Sequence, residues 1–341
     1  MSNSAEVLNP QGENPFYRTS FWFSTLHQHI YPQCRLIELT VNEIVLPHIE
    51  FYSQLKFIKL HCLHSLTNYY SPEFLPVTAN TTNAETNLAA FYQQHVSTYE
   101  MIDLSPLSAS NADAVIAVLE QQHFYCEKYQ LTTNWTHPDI TDFDQFWQLR
   151  PKKMRNILRS KKTKLDRDQH YSIEILSEIK DPRLEQMLKS YHQVYNKSWK
   201  NNEPFTQFID EIVREENKQG RVRLGILSIK DQAVAAQIWF VHQQTAFIFK
   251  LSYDNNYRNE SVGTILMEAM FQQVISKDHV TCVDFLTGDD KYKADWMTCA
   301  RPLYGIKAYN KKTAKGFICA ALVRLNNQLK RLLKARPQQA A

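Results

Sequence analysis

The segment 221–286 constrains the fold more than any other part of the chain. Three strand patterns, 221–229, 233–241 and 246–253, follow in quick order, joined by Lys230-Asp231-Gln232 and by His242-Gln243-Gln244-Thr245. Loops this short join antiparallel neighbours. A turn over 254–262 then leads into a helix at 263–277, where Leu266, Met267, Met270, Phe271, Val274 and Ile275 share one face. The next strand, 280–286, is apolar nearly throughout, so both of its faces are expected to be buried. A meander that feeds a strand, a turn, a helix and a further strand is a specific order. The turn at the helix start is where an anion would bind, because free N–H groups and the helix dipole converge there.

Around this segment the chain mixes both element types, which predicts an α/β (α+β) fold with a mixed central sheet flanked by helices. Strands are predicted at 35–45, 55–67, 101–107, 127–133, 171–176 and 304–309. Helices are predicted at 85–99 and 111–125, with Asn111 as a candidate N-cap. Thr141-Asp142-Phe143-Asp144 supplies capping chemistry for another helix, with a break at Pro151. A helix from Asp181 has Pro182 in its first turn and carries the stripe Leu184, Met187, Leu188, Tyr191, Val194 and Tyr195. A further helix, 205–218, stops at Gly220, and a basic amphipathic helix closes the chain to about residue 333. The expected division is a loose 1–15, a first domain at 16–140 and a second at 141–341.

Charge supports two regions. Residues 1–149 hold 5 Lys/Arg and 15 Asp/Glu, whereas 150–341 hold 34 and 20, so net values of −10 and +14 sum to +4. The densest stretch, 150–167, has nine basic residues against one acid, Asp166. It reads as a solvated helix face, as a surface for a phosphorylated ligand or RNA, or as a face that docks on the acidic region. Only seven of 341 residues are glycine, which excludes Gly-rich nucleotide loops, and six of the seven lie between Gly220 and Gly316. The six cysteines and twelve histidines are scattered without zinc spacing, so no metal is expected and the thiols read as reduced, in a cytoplasmic protein. No HExxH and no GxSxG occurs. No run of 18 apolar residues suggests a membrane span, and residues 1–15 lack the basic start and apolar core of a secretory signal.

The turn reads Tyr257-Arg258-Asn259-Glu260-Ser261-Val262-Gly263-Thr264. It resembles the acyl-CoA pyrophosphate loop of the GNAT acyltransferase superfamily, Gln/Arg-x-x-Gly-x-Gly/Ala. Arg258, Ser261 and Gly263 stand at the marked positions, with serine where the family usually has glycine. Tyr191 to Lys200, Ala235 to Trp239 and Val283 to Trp296 are similar to a bacterial acetyltransferase-like branch. That branch is related to the Fem peptidoglycan aminoacyl transferases, and some members are labelled cellulose-biosynthesis-like. The resemblance covers roughly 140–315. It implies tandem GNAT-like domains, the first copy degenerate at 16–140, and an acyl-CoA co-substrate.

The resemblance further implies that Leu251, Tyr253, Arg258, Asn259, Ser261, Val262, Gly263 and Thr264 bind the cofactor. Backbone N–H groups near Leu251 to Tyr253 would hold the oxyanion. An amine near pKa 10 must lose a proton before it attacks a thioester, and the leaving thiolate must gain one. Asp284, Asp289 or Asp290 is expected as the base, although Asp284 also reads as a buried acid paired with Lys250 or Lys293. Tyr292 is expected to protonate the thiolate. Trp199, Lys250, Asp290, Lys293 and Trp296 are expected to line the acceptor site, with the tryptophans equally readable as core. The implied function is transfer of an acyl (acetyl) group from CoA to an amine of a small molecule or sugar. The alternatives are an aminoacyl-tRNA-dependent transferase, which would use the basic stretch 150–167 for RNA, and a non-catalytic binding module.

Overall fold

The computed structural model describes residues 15–77, 88–93, 96–168 and 171–334. In chain order the elements are α1 (Ser20–Ile30), β1 (Arg35–Val41), β2 (Ile44–Leu55), β3 (Ile58–Ser65), β4 (Met101–Leu107), α2 (Ala109–Gln121) and β5 (Phe124–His137). There follow α3 (Phe143–Gln148), α4 (Lys152–Asp168), β6 (Tyr171–Leu176), α5 (Leu184–Asn196), α6 (Thr206–Lys218), β7 (Val222–Ile229), β8 (Gln232–His242) and β9 (Thr245–Tyr253). The chain continues through α7 (Val262–Ser276), β10 (Cys282–Thr287), α8 (Lys293–Trp296), β11 (Cys299–Asn310) and α9 (Ala314–Lys334). The mixed α/β class is as expected.

Two compact units emerge, and neither is contiguous in sequence. Among the described residues, the first takes those within 15–30 and 133–301, and the second those within 31–77, 88–132 and 302–334. Aromatic packing explains the N-terminal part: Phe16 and Trp22 are buried among Phe208, Phe240 and Phe249 of the first unit.

In the first unit β6, β7, β8 and β9 form an antiparallel meander. Lys230 and Asp231, both with positive φ, make the two-residue turn between β7 and β8. β10 then pairs parallel to β9, and the end of β5 pairs antiparallel to β10. One core cluster gathers Leu266, Met270 and Phe271 of α7 with Trp239 of β8 and Phe285 of β10. In the second unit β1, β2 and β3 are antiparallel, β3 and β4 parallel, and β4 and β11 antiparallel.

Several local expectations shift. Asn42 and Glu43 take positive φ and divide the strand expected at 35–45 into β1 and the start of β2. Residues 45–54 alternate poorly in polarity, which hid most of β2. Of the helix expected at 85–99, the described part is a single short 3-10 turn at Leu88–Tyr92. Ser108, not Asn111, caps α2, and its Oγ accepts from the Asn111 N–H at 3.3 Å. The helix break at Pro151 is present, with Asp142 capping α3 through the Gln145 N–H at 2.7 Å. All six cysteines are free thiols, and no described helix is long and apolar enough to cross a membrane.

Candidate active site

The site begins as a defect in pairing. β9 and β10 pair only at Cys282–Thr245, Val283–Ala246 and Asp284–Phe247, after which the two strands separate. The cause lies in β10. The Asp284 carboxylate accepts from the Leu286 N–H at 2.7 Å, a contact two residues away that belongs to a turn rather than a strand. Leu286 takes φ 55°, and the register against β5 shifts between Asp284 and Thr287. The same Asp284 oxygen accepts from Asn134 Nδ2 at 2.7 Å. The hydrogen-bond partners of Asp284 are thus Asn134 and the Leu286 N–H, not Lys250 or Lys293 as the sequence alternative had it; it holds the bulge that opens the sheet.

Charged side chains gather at the open edge of β9. Lys200 Nζ donates to the Leu251 carbonyl at 2.6 Å. Lys250 Nζ donates to Glu203 Oε2 at 2.7 Å, and both side chains are buried. Burial lowers the Lys200 pKa to about 8, helped by the Lys250 charge and opposed by Asp290 and Glu203. Lys250 is also lowered by burial and partly restored by Glu203. Lys200 and Glu203 were missed from sequence. Glu203 lies in the polar run Asn201-Asn202-Glu203-Pro204, where nothing signals burial.

Lys293 is buried and donates to the carbonyls of Phe285 at 3.1 Å and Thr287 at 2.8 Å. Its pKa is lowered to about 8 by burial, against the pull of Asp290, Asp284 and Asp289. It ties down the end of β10. Gly288, at φ 131°, lets the turn pass over it, since an added Cβ would lie 2.9 Å from Lys293 Nζ. Asp289 and Asp290 are exposed. Tyr292 is 37 % exposed, stands edge-on to Phe285, and holds its proton well above the ordinary phenol range through burial and Asp290. Trp296 does not line this edge. It is 2 % exposed and stacks on Phe271 at 4.9 Å, so it is core.

The turn after β9 is a 3-10 segment, Asn255–Glu260, capped by Asp254 through the Asn256 N–H at 2.9 Å. Ser261 takes the left-handed conformation, φ 59° and ψ 28°, and no side chain caps α7. The Thr264 and Ile265 N–H groups both bond back to the Ser261 carbonyl. The first-turn amides of Val262 and Gly263 precede the α-helical ladder, so they are the donors an anion would use. Arg258 and Asn259 are exposed beside them, and Val262 is buried.

Gly263 also has a packing role. An added Cβ there would sit 2.8 Å from Tyr253 Cδ1, so the glycine makes room for the Tyr253 ring. Half-exposed Trp199 packs on that ring at 4.4 Å, forming an aromatic wall next to the turn. The Gly263 carbonyl accepts from Gln237 Nε2 at 2.9 Å, which fixes α7 to β8.

The basic stretch 150–167 is not uniformly solvated. Arg150 is 3 % exposed, lies over the Phe146 ring at 4.2 Å, and has its pKa lowered to about 10 by burial. Lys162 pairs with Glu268 of α7 at 3.1 Å. Lys152, Arg159 and Lys164 are exposed. Among the described residues no His/Cys/Asp/Glu group suited to a metal occurs.

Residues 152–294 match a family model described as an acetyltransferase (GNAT) domain. FemX is similar in fold, with a TM-score of 0.54 at 9 % identity over 88 % of this chain and 97 % of that one. A conserved protein of unknown function from Bacteroides thetaiotaomicron gives 0.53 at 11 %, covering 86 % and 92 %. A C-terminal domain from Agrobacterium fabrum, described as that of a candidate lysylphosphatidylglycerol synthetase, gives 0.51 at 11 %, covering 89 % and 91 %. No protein of curated function matches. Residues 152–294 thus match the GNAT domain that the turn and its flanking segments led us to expect, and the chain shares its fold with FemX.

Proposed function

We propose that this chain, whose residues 152–294 form a GNAT acetyltransferase domain, is an N-acyltransferase that draws its acyl group from a CoA thioester and delivers it to an amine. One observation carries the reading: the gap between β9 and β10 runs into the uncapped start of α7. An extended donor with an anionic tail fits that path. Its pyrophosphate would meet the Val262 and Gly263 amides with the Arg258 guanidinium, its pantetheine arm the free edge of β9, and its thioester the mouth of the gap.

Asp290 is the group we assign to proton removal, because it acts on Lys200, Lys293 and Tyr292 alike, whereas one oxygen of Asp284 already serves two donors. The amine gives up a proton, its nitrogen bonds to the carbonyl carbon, and the C–S bond breaks. Tyr292 then protonates the thiolate. Trp199 and Tyr253 would flank the acceptor. The test is thiol release from acyl-CoAs over a panel of amines and amino sugars. Amine-dependent release that Asp290→Asn reduces by about 10²-fold or more is the expected result; acyl-CoA binding without release for any amine favours a non-catalytic module.

A second reading keeps the fold and takes aminoacyl-tRNA as donor. The exposed Lys152, Arg159 and Lys164 of α4 favour it, being in the same unit as the gap. Charged tRNA binding that falls steeply with salt and is not displaced by acetyl-CoA would select this reading.

A further inference from the structure

We propose that α9 docks the protein on an anionic lipid surface. The helix spans 21 residues, and no Asp or Glu occurs among them. Its inner face is settled: Cys319 and Ala320 are buried with Leu60, Cys62, Met101 and Tyr309 of the second unit, and Val323 packs against the same cluster. The opposite face is apolar yet open. Phe317, Ile318, Leu325 and Leu329 are 58, 49, 55 and 51 % exposed. Spacings of seven and four place Ile318, Leu325 and Leu329 in one line along the helix. Single exposed leucines are ordinary on a surface, but a continuous stripe of this kind marks a contact.

Charge selects the occupant. Arg324 and Lys330 are exposed and have no ion-pair partner among the described residues. A helix with an apolar stripe, basic flanks and no acid lies in the plane of an anionic bilayer, with its apolar face among the acyl chains. A neutral or cationic partner would gain nothing from those flanks. The same unit offers a second apolar point. Phe57 is 98 % exposed at the turn between β2 and β3, next to Lys56, and β3 is the strand on which α9 packs. A phenylalanine so placed buries nothing within the protein and suits insertion at an interface.

The experiment is co-sedimentation of the full chain with vesicles of pure phosphatidylcholine or of phosphatidylcholine with phosphatidylglycerol. Binding to the anionic vesicles only, weakened by salt, is expected. Leu325→Glu with Leu329→Glu should reduce the partition by about tenfold or more, and Arg324→Gln with Lys330→Gln should reduce it several-fold. Both variants alter solvent-facing positions, and unchanged thermal unfolding checks that they fold. Absence of binding, or binding indifferent to both variants, overturns the proposal. So does a concentration-dependent dimer abolished by the leucine substitutions, because a second copy would then cover the stripe.

Discussion

At the scale of single residues, Asp284 has two possible tasks that substitution separates. Its Oδ1 holds both the Leu286 N–H and Asn134 Nδ2. Asp284→Asn keeps an acceptor there and should leave stability nearly unchanged, while Asp284→Ala strands two donors and should cost about 1–3 kcal/mol in chemical denaturation. Under our assignment the Asn variant also retains most activity; a loss of several orders of magnitude with stability intact would make Asp284 the base. Lys200 gives a pH signature. Its pKa is about 8 in the folded chain against an ordinary value of 10.5, so between those limits the unfolded state binds more protons. Stability contributed by this site therefore rises as pH climbs from 8 to 10.5. Lys200→Met should remove that part of the slope, measured as the difference between variant and parent unfolding curves. An identical slope in both would place Lys200 in water. The sequence offered Asp284 as a partner for Lys250, whereas the partner is Glu203. It did not suggest Lys200, because a lysine three residues before an acid in a polar run looks solvated.

At the scale of elements, periodicity located most of the first unit to within a few residues, since its meander and helices carry clean periods of 2 and 3.6. The order of strand, turn and helix also placed the turn between β9 and α7. What sequence could not provide was the opening between β9 and β10, which depends on one carboxylate bonding two residues ahead. Nor did it give the reason for Gly263. The glycine seats Tyr253, so Gly263→Val must displace an aromatic ring already packed against Trp199. We expect a loss of about 1–3 kcal/mol, with much of it recovered in the Gly263→Val, Tyr253→Ala double variant. Strict additivity of the two substitutions would show that the ring and the glycine do not depend on each other. Trp296 illustrates the opposite limit. A tryptophan close to candidate acids reads as a site residue, yet its burial on Phe271 is decided by packing that no local pattern reports.

For the whole molecule, the charge split acquires specific addresses. Part of the excess of basic residues after position 150 falls on α4, on the lysines at the open strand edge and on α9, three places with different chemistry. Arg150 is buried over the Phe146 ring and Lys162 is paired with Glu268, so a count of basic residues overstates the surface available to an anion. Scarcity of glycine likewise means less than it first suggests. A turn that uses Ser261 in the left-handed region and a single Gly263 can still present helix amides to a phosphate. We propose that this turn and the adjoining gap hold a CoA thioester, and calorimetric titration of acetyl-CoA into the full chain measures that binding. Saturable one-to-one binding that Arg258→Ala weakens by about tenfold is expected. Absence of binding at millimolar acetyl-CoA, or an affinity untouched by Arg258→Ala, would contradict it.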